Sequence, residues 1–68
     1  MYMAQFTDFG KTVKKALIDK GQTQAWLIDE VREKTGLFFD YGYLYKIMTG
    51  GRTAAKVVDA INDILNLD

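Results

Sequence analysis

The chain contains no cysteine, no histidine and no proline. Without cysteine there is no disulfide framework, zinc finger or thiol nucleophile, and without histidine the usual general base and the commonest metal ligand are missing. Most enzyme readings lose their machinery on this count, and neither a catalytic function nor a cofactor is expected. Long apolar runs are also lacking. The longest, Ala25-Trp26-Leu27-Ile28, is far below the ~18 residues a membrane-spanning helix needs, and the N-terminus has no basic region leading into an apolar stretch. A soluble, cytoplasmic protein with no membrane partner is the expectation. An excess of either charge is absent too: nine Lys and Arg balance nine Asp and Glu, which argues against binding nucleic acid by bulk charge.

What is present is a single short domain over residues 1–68. A chain of this size buries only roughly 60% of the surface its unfolded form exposes, so its core must be efficient. With proline absent, helices are punctuated by glycine and capping side chains alone. Residues 7–20 carry Phe9, Val13, Ala16 and Leu17 at helical spacing, with Thr7 as N-cap and Gly21 as left-handed stop. A second helix begins at Thr23, turns Leu27, Ile28 and Val31 inward, and closes at Gly36. A third begins with Asp40 as N-cap, buries Leu44, Ile47 and Met48, and ends before Gly50 and Gly51. Thr53 is the expected cap of a fourth, whose apolar stripe is Val57, Ile61, Ile64 and Leu65.

Residues 39–46 also fit a strand, because Phe39, Tyr41, Tyr43 and Tyr45 alternate with Asp40, Gly42, Leu44 and Lys46. A lone strand would leave its backbone donors unpaired and no second strand-like run exists to meet them, so the helical reading prevails. Charge is unevenly spread over this half of the chain. Residues 40–56 hold Lys46, Arg52 and Lys56 against Asp40, whereas Asp59, Asp63 and Asp68 make the C-terminal segment acidic.

The order of these elements resembles the Cro and lambda-repressor-type (XRE) helix-turn-helix family, over most of the chain. The resemblance rests on Gln24-Ala25 opening the second helix, with Leu27 and Val31 in its core. Tyr43-Leu44-Tyr45-Lys46-Ile47-Met48-Thr49-Gly50 stands in the place of the recognition helix, and Ala60-Ile61-Asn62-Asp63-Ile64-Leu65-Asn66-Leu67 is similar to the family's fourth helix. It implies an all-α bundle of four to five helices and a sequence-specific double-stranded DNA-binding regulator of transcription, a repressor of the kind encoded by phages and other mobile elements, bound as a homodimer on adjacent half-sites in the bacterial cytoplasm or nucleoid. The recognition helix, about residues 40–48, would lie in the major groove with Tyr41, Gly42, Tyr45 and Lys46 as base readers. Thr23, Gln24, Gly51, Arg52, Thr53 and Lys56 would hold phosphates.

Three departures from the family pattern carry structural expectations. The segment 32–39 is several residues longer than the family's turn, which suggests an extra helical turn and an apolar excursion at Leu37-Phe38-Phe39. Ile28 stands where the family usually has alanine and requires a wider helix crossing. The surface that a fifth helix covers in many relatives needs another cover, either Met1, Tyr2, Met3 and Phe6 or Leu37, Phe38 and Phe39. Packing is expected for Phe6 and Phe39, while Phe38 and Trp26 are candidates for a partner surface.

Blander readings stand beside these. The tyrosines serve equally as wet-edged covers of a small core, Tyr43 above all. Lys11, Lys14 and Lys15 read as a solvated helix face offset by Asp8 and Asp19. Asp59 and Asp63, one turn apart, make a poor cation site without further oxygen ligands. Gly50-Gly51 is a turn and not a phosphate loop, since no strand precedes it. The competing function is a protein-interaction module on the same fold, such as an antirepressor or modulator, working through the exposed aromatic residues.

Overall fold

Thr7 in extended conformation puts its hydroxyl in reach of the Gly10 N–H, which donates to it over 3.1 Å, and α1 (Asp8–Lys20) starts there. Two more helices begin in the same way. The Trp26 N–H donates to Thr23 Oγ1 at the head of α2 (Gln24–Thr35), and the Tyr43 N–H donates to Asp40 Oδ1 over 2.8 Å at the head of α3 (Tyr41–Met48). Caps of this kind satisfy donors that have no intrahelical acceptor and are worth about 1 kcal/mol each. Gly21 and Gly36 end α1 and α2 with φ of 68° and 69°, a conformation other residues adopt at a cost. The last helix, α4 (Ala55–Leu65), ends on Asn66 in the same left-handed region.

The structure, a computed structural model, describes residues 5–67. It is all-helical, with four helices and no strand among the described residues. Tyr41, Tyr43 and Tyr45 of the aromatic alternation lie on a helix, and Phe39 lies in the connection before it. Met1, Tyr2 and Met3, proposed above as a cover, lie outside the described residues.

One expectation is corrected. Thr53 does not cap α4: Ala54 holds the cap position, with extended backbone and no side-chain hydrogen bond. The reason lies upstream, where the Gly51 and Arg52 N–H groups both donate to the Lys46 carbonyl, at 2.8 and 3.2 Å. That fastening uses the first half of the loop to close α3, and the first intrahelical bond of α4, from the Val58 N–H to the Ala54 carbonyl, forms one residue later than the threonine predicts.

The core is continuous through all four helices. Val13 and Leu17 from α1, Leu27, Ile28 and Val31 from α2, Leu44, Ile47 and Met48 from α3, and Val57, Ile61 and Leu65 from α4 are buried together with Phe39. No polar or charged residue is buried among the described residues. Ile64, assigned to the apolar stripe, is only partly buried, as are Phe9 and Ala16. Phe39 enters the core from the excursion, and Phe6 packs on the outside of it as expected.

A short path ties α1 to the end of α3. Both the backbone N–H and the hydroxyl of Thr7 donate to the Met48 carbonyl, at 2.9 and 3.1 Å. Gly10 makes this possible: a Cβ at that position would stand 2.1 Å from the Met48 oxygen, well inside van der Waals contact. Gly10 sits within a helix, where alanine normally gains up to about 1 kcal/mol over glycine. Here the sign reverses. Gly10→Ala is expected to lose about 1–3 kcal/mol to overpacking, seen as a fall of roughly 4–8 °C in thermal midpoint per kcal/mol. Gly42→Ala, whose Cβ meets nothing closer than Asp40 Oδ1 at 3.6 Å, holds or raises the midpoint. A Gly10→Ala variant melting at or above the parent would show that the junction yields.

Candidate nucleic-acid interface

The two faces of α3 differ as the helical period requires. Leu44, Ile47 and Met48 point into the core, and Tyr41 and Tyr45, one turn apart, leave 58% and 47% of their surface exposed. Gly42 and Lys46 form a second exposed pair on the same side. All four residues that the sequence assigns to base reading thus share the outer surface of α3. Tyr45 is steadied from one edge by Phe6, with ring centroids 6.2 Å apart at 72°, and the Lys14 ammonium sits 4.4 Å from the Phe6 centroid. The cation of the α1 run nearest this face is therefore occupied with an aromatic ring.

Tyr43 takes the bland role. It is half-buried against Phe39, with centroids 5.0 Å apart, and its other partner is the Arg52 guanidinium, 4.2 Å from the ring. A cation over an aromatic face gains about 0.5–1 kcal/mol at such exposed sites. The larger consequence is positional. The Arg52 backbone is tied to the Lys46 carbonyl and its side chain lies over Tyr43, so the guanidinium stays beside α3. Among the described residues neither Lys46 nor Arg52 forms an ion pair.

Arg52, Lys46, Gly42, Tyr43 and Asp40 line an open groove of about 480 Å³ whose far wall is Leu37 and Phe38. The remaining phosphate candidates fall elsewhere. Lys56 lines a separate hollow with Lys34, Asp59 and Asp63, where Lys34 pairs with Asp63 at 3.4 Å. Gln24 borders a small hollow with Lys14, Leu17, Ile18 and Gln22, and the Thr23 hydroxyl accepts from the Trp26 N–H. Gly51 and Thr53 are exposed in the loop after α3. Only Arg52 of that set is thus brought into the groove with a base-reading candidate. Trp26, a candidate for a partner surface, is partly buried against the core.

Sequence reasoning named the Leu37-Phe38-Phe39 excursion but missed what holds it. Arg32 Nε donates to the Phe39 carbonyl over 2.6 Å, and Thr35 Oγ1 accepts from the Leu37 N–H over 3.1 Å. These bonds, with the Asp40 cap, hold an arch that sends Phe39 into the core and leaves Phe38 72% exposed. No periodicity encodes a bond from an arginine to a carbonyl seven residues on. The adjacent phenylalanines were the available signal, since successive residues of a short connection cannot both turn inward.

Comparison with known proteins yields no match: no family model, no curated protein and no solved structure is similar to the chain. No group of three or more metal-ligating side chains occurs among the described residues, and no helix is long and apolar enough to cross a membrane.

The arch yields a direct test. Arg32→Ala is expected to destabilise the fold by about 1.5–3 kcal/mol, the range for a hydrogen bond to a charged group, with amide exchange rising first at residues 36–39. Arg32→Lys, lacking the Nε donor, should behave like the alanine variant. Unchanged exchange in both would show that the arch stands without the arginine.

Proposed function

We propose that the chain binds double-stranded DNA through the outer face of α3, as a small transcriptional regulator of the lambda-repressor-like helix-turn-helix type. The observation that carries this reading is the joint exposure of Tyr41, Gly42, Tyr45 and Lys46 on α3, with Arg52 held beside them over Tyr43. At 1.5 Å per residue an eight-residue helix spans about 12 Å, a length the major groove admits. Lys46 offers donors to guanine acceptors, the tyrosines offer a hydroxyl and an apolar ring, and Gly42 lets the backbone approach. Arg52 serves as a phosphate contact that sets register. The first turn of α4, without a side-chain cap and next to Thr53 and Lys56, offers further N–H groups to an anion. One such module reads few base pairs, so two copies on half-sites about one helical turn apart make the working unit.

The exposed Phe38 supports a second reading, a protein-interaction module such as an antirepressor that docks another regulator. A mobility-shift assay with mixed-sequence duplex at low salt separates the two: retardation supports the DNA reading, and none at high micromolar protein supports the other. Within the DNA reading, Lys46→Ala is expected to lower affinity for a preferred duplex more than for others. Arg52→Ala should weaken all duplexes alike and flatten the slope of log K against log salt by about 0.9, the share of one phosphate. Gly42→Ala should keep the fold and lose affinity. Parental binding by all three variants would remove α3 from the interface.

A further inference from the structure

Phe38 is the most exposed large apolar side chain lining the groove, and neither the core nor the helix caps explain it. Phe39 beside it is fully buried, whereas Phe38 leaves 72% of its surface in water and forgoes the burial its ring could gain. The backbone on either side of it is fastened, by Arg32 at Phe39, by Thr35 at Leu37 and by the Asp40 cap. Lys46 and Arg52 line the same groove, two cations with no ion pair among the described residues. The acid in that lining, Asp40, has Oδ1 engaged by the Tyr43 N–H. An exposed apolar ring and two cationic donors line one groove with a single acid, so an occupant that presents an apolar group together with hydrogen-bond acceptors fits it.

In duplex DNA one base has this character in the major groove. Thymine shows a C5-methyl next to its O4 acceptor, flanked by backbone phosphates, and an aromatic or aliphatic side chain is a fitting partner for the methyl. Resting on the DNA-binding reading, we infer that Phe38 is a specificity-determining residue that packs on a thymine methyl, while Lys46 donates to O4 of that base or to an acceptor on the adjoining pair. The preferred site therefore contains a required thymine opposite the N-terminal end of α3. Arg52 holds the flanking phosphate.

Exchanging thymine for deoxyuridine tests this, because it removes the methyl and keeps O4 and base pairing. A duplex is first selected from a randomised pool with the parent chain, then resynthesised with deoxyuridine at each thymine in turn. At one position the parent chain is expected to lose about fourfold in affinity, the factor that one buried methyl-sized group supplies. Phe38→Ala loses at least as much on the all-thymine duplex and shows no further loss with deoxyuridine at that position. Phe38→Leu keeps most of the methyl dependence.

Two results overturn the inference while leaving DNA binding intact. One is a parent chain indifferent to deoxyuridine at every position. The other is a Phe38→Ala variant that weakens all duplexes equally and remains as sensitive to methyl loss as the parent, which would place Phe38 on sugar or phosphate. A pool from which no duplex is enriched at low salt would instead remove the DNA reading, and this inference with it, and assign the groove to a protein partner.

Discussion

The arrangement of the exposed helix depends on one carbonyl. Met48 is the last residue of α3, and its C=O would be an orphan at a helix end if Thr7 did not supply two donors to it. The same threonine hydroxyl accepts from the Gly10 N–H and so starts α1. One side chain therefore closes one helix and opens another. The junction tolerates no Cβ at position 10, and it brings Phe6, just upstream, against Tyr45 on α3. With α3 gripped at its C-terminal end, Leu44, Ile47 and Met48 are committed to the core, and the helical period turns Tyr41, Gly42, Tyr45 and Lys46 outward without any further instruction.

The other end of α3 is set by the arch. Its five residues, 36–40, connect two helices through a chain of unlike bonds: a left-handed glycine, a threonine hydroxyl, an arginine side chain and an aspartate cap. Phe39 supplies the apolar anchor, and Tyr43 lies on it, so Arg52 over Tyr43 is the third layer of a stack that begins in the core. Rigidity of the arch and position of the loop after α3 are thus coupled through two aromatic rings. A side chain on such a support loses little conformational freedom on meeting a ligand, which is how a small surface reaches useful affinity.

Local chemistry in this chain was legible where a single residue decides it. Thr7, Thr23 and Asp40 cap, and Gly21 and Gly36 stop, because each acts through its own backbone or through groups within four residues of it. The buried faces of the helices followed from spacing, and the lack of any pairing partner removed the strand alternative at 39–45. Thr53 failed as a cap because the start of α4 is settled by where the preceding loop is tied, at Lys46, and that bond is invisible to a local pattern. The site was legible by face and not by cluster. Period 3.6 placed the four α3 residues together, but which loop residues approach them depends on tertiary packing, and it brought Arg52 in and set Lys56 among the acids of α4. Phe38 was noticed for its apolar character, and its place in one groove with Lys46 came only with the fold.

Zero net charge does not weigh against the proposed function once the charges are placed. Long-range attraction to a polyanion depends on the local field within about 8–10 Å, the screening distance at ordinary salt, and there the groove presents Lys46 and Arg52 against the single acid Asp40. The acids of α4 lie in another hollow, where one of them is paired with Lys34. A chain organised in this way gains little from non-specific electrostatics and must draw discrimination from shape and apolar contact. Under the proposed reading the exposed aromatic residues near the cations supply that contact, and recognition rests more on fit than on charge.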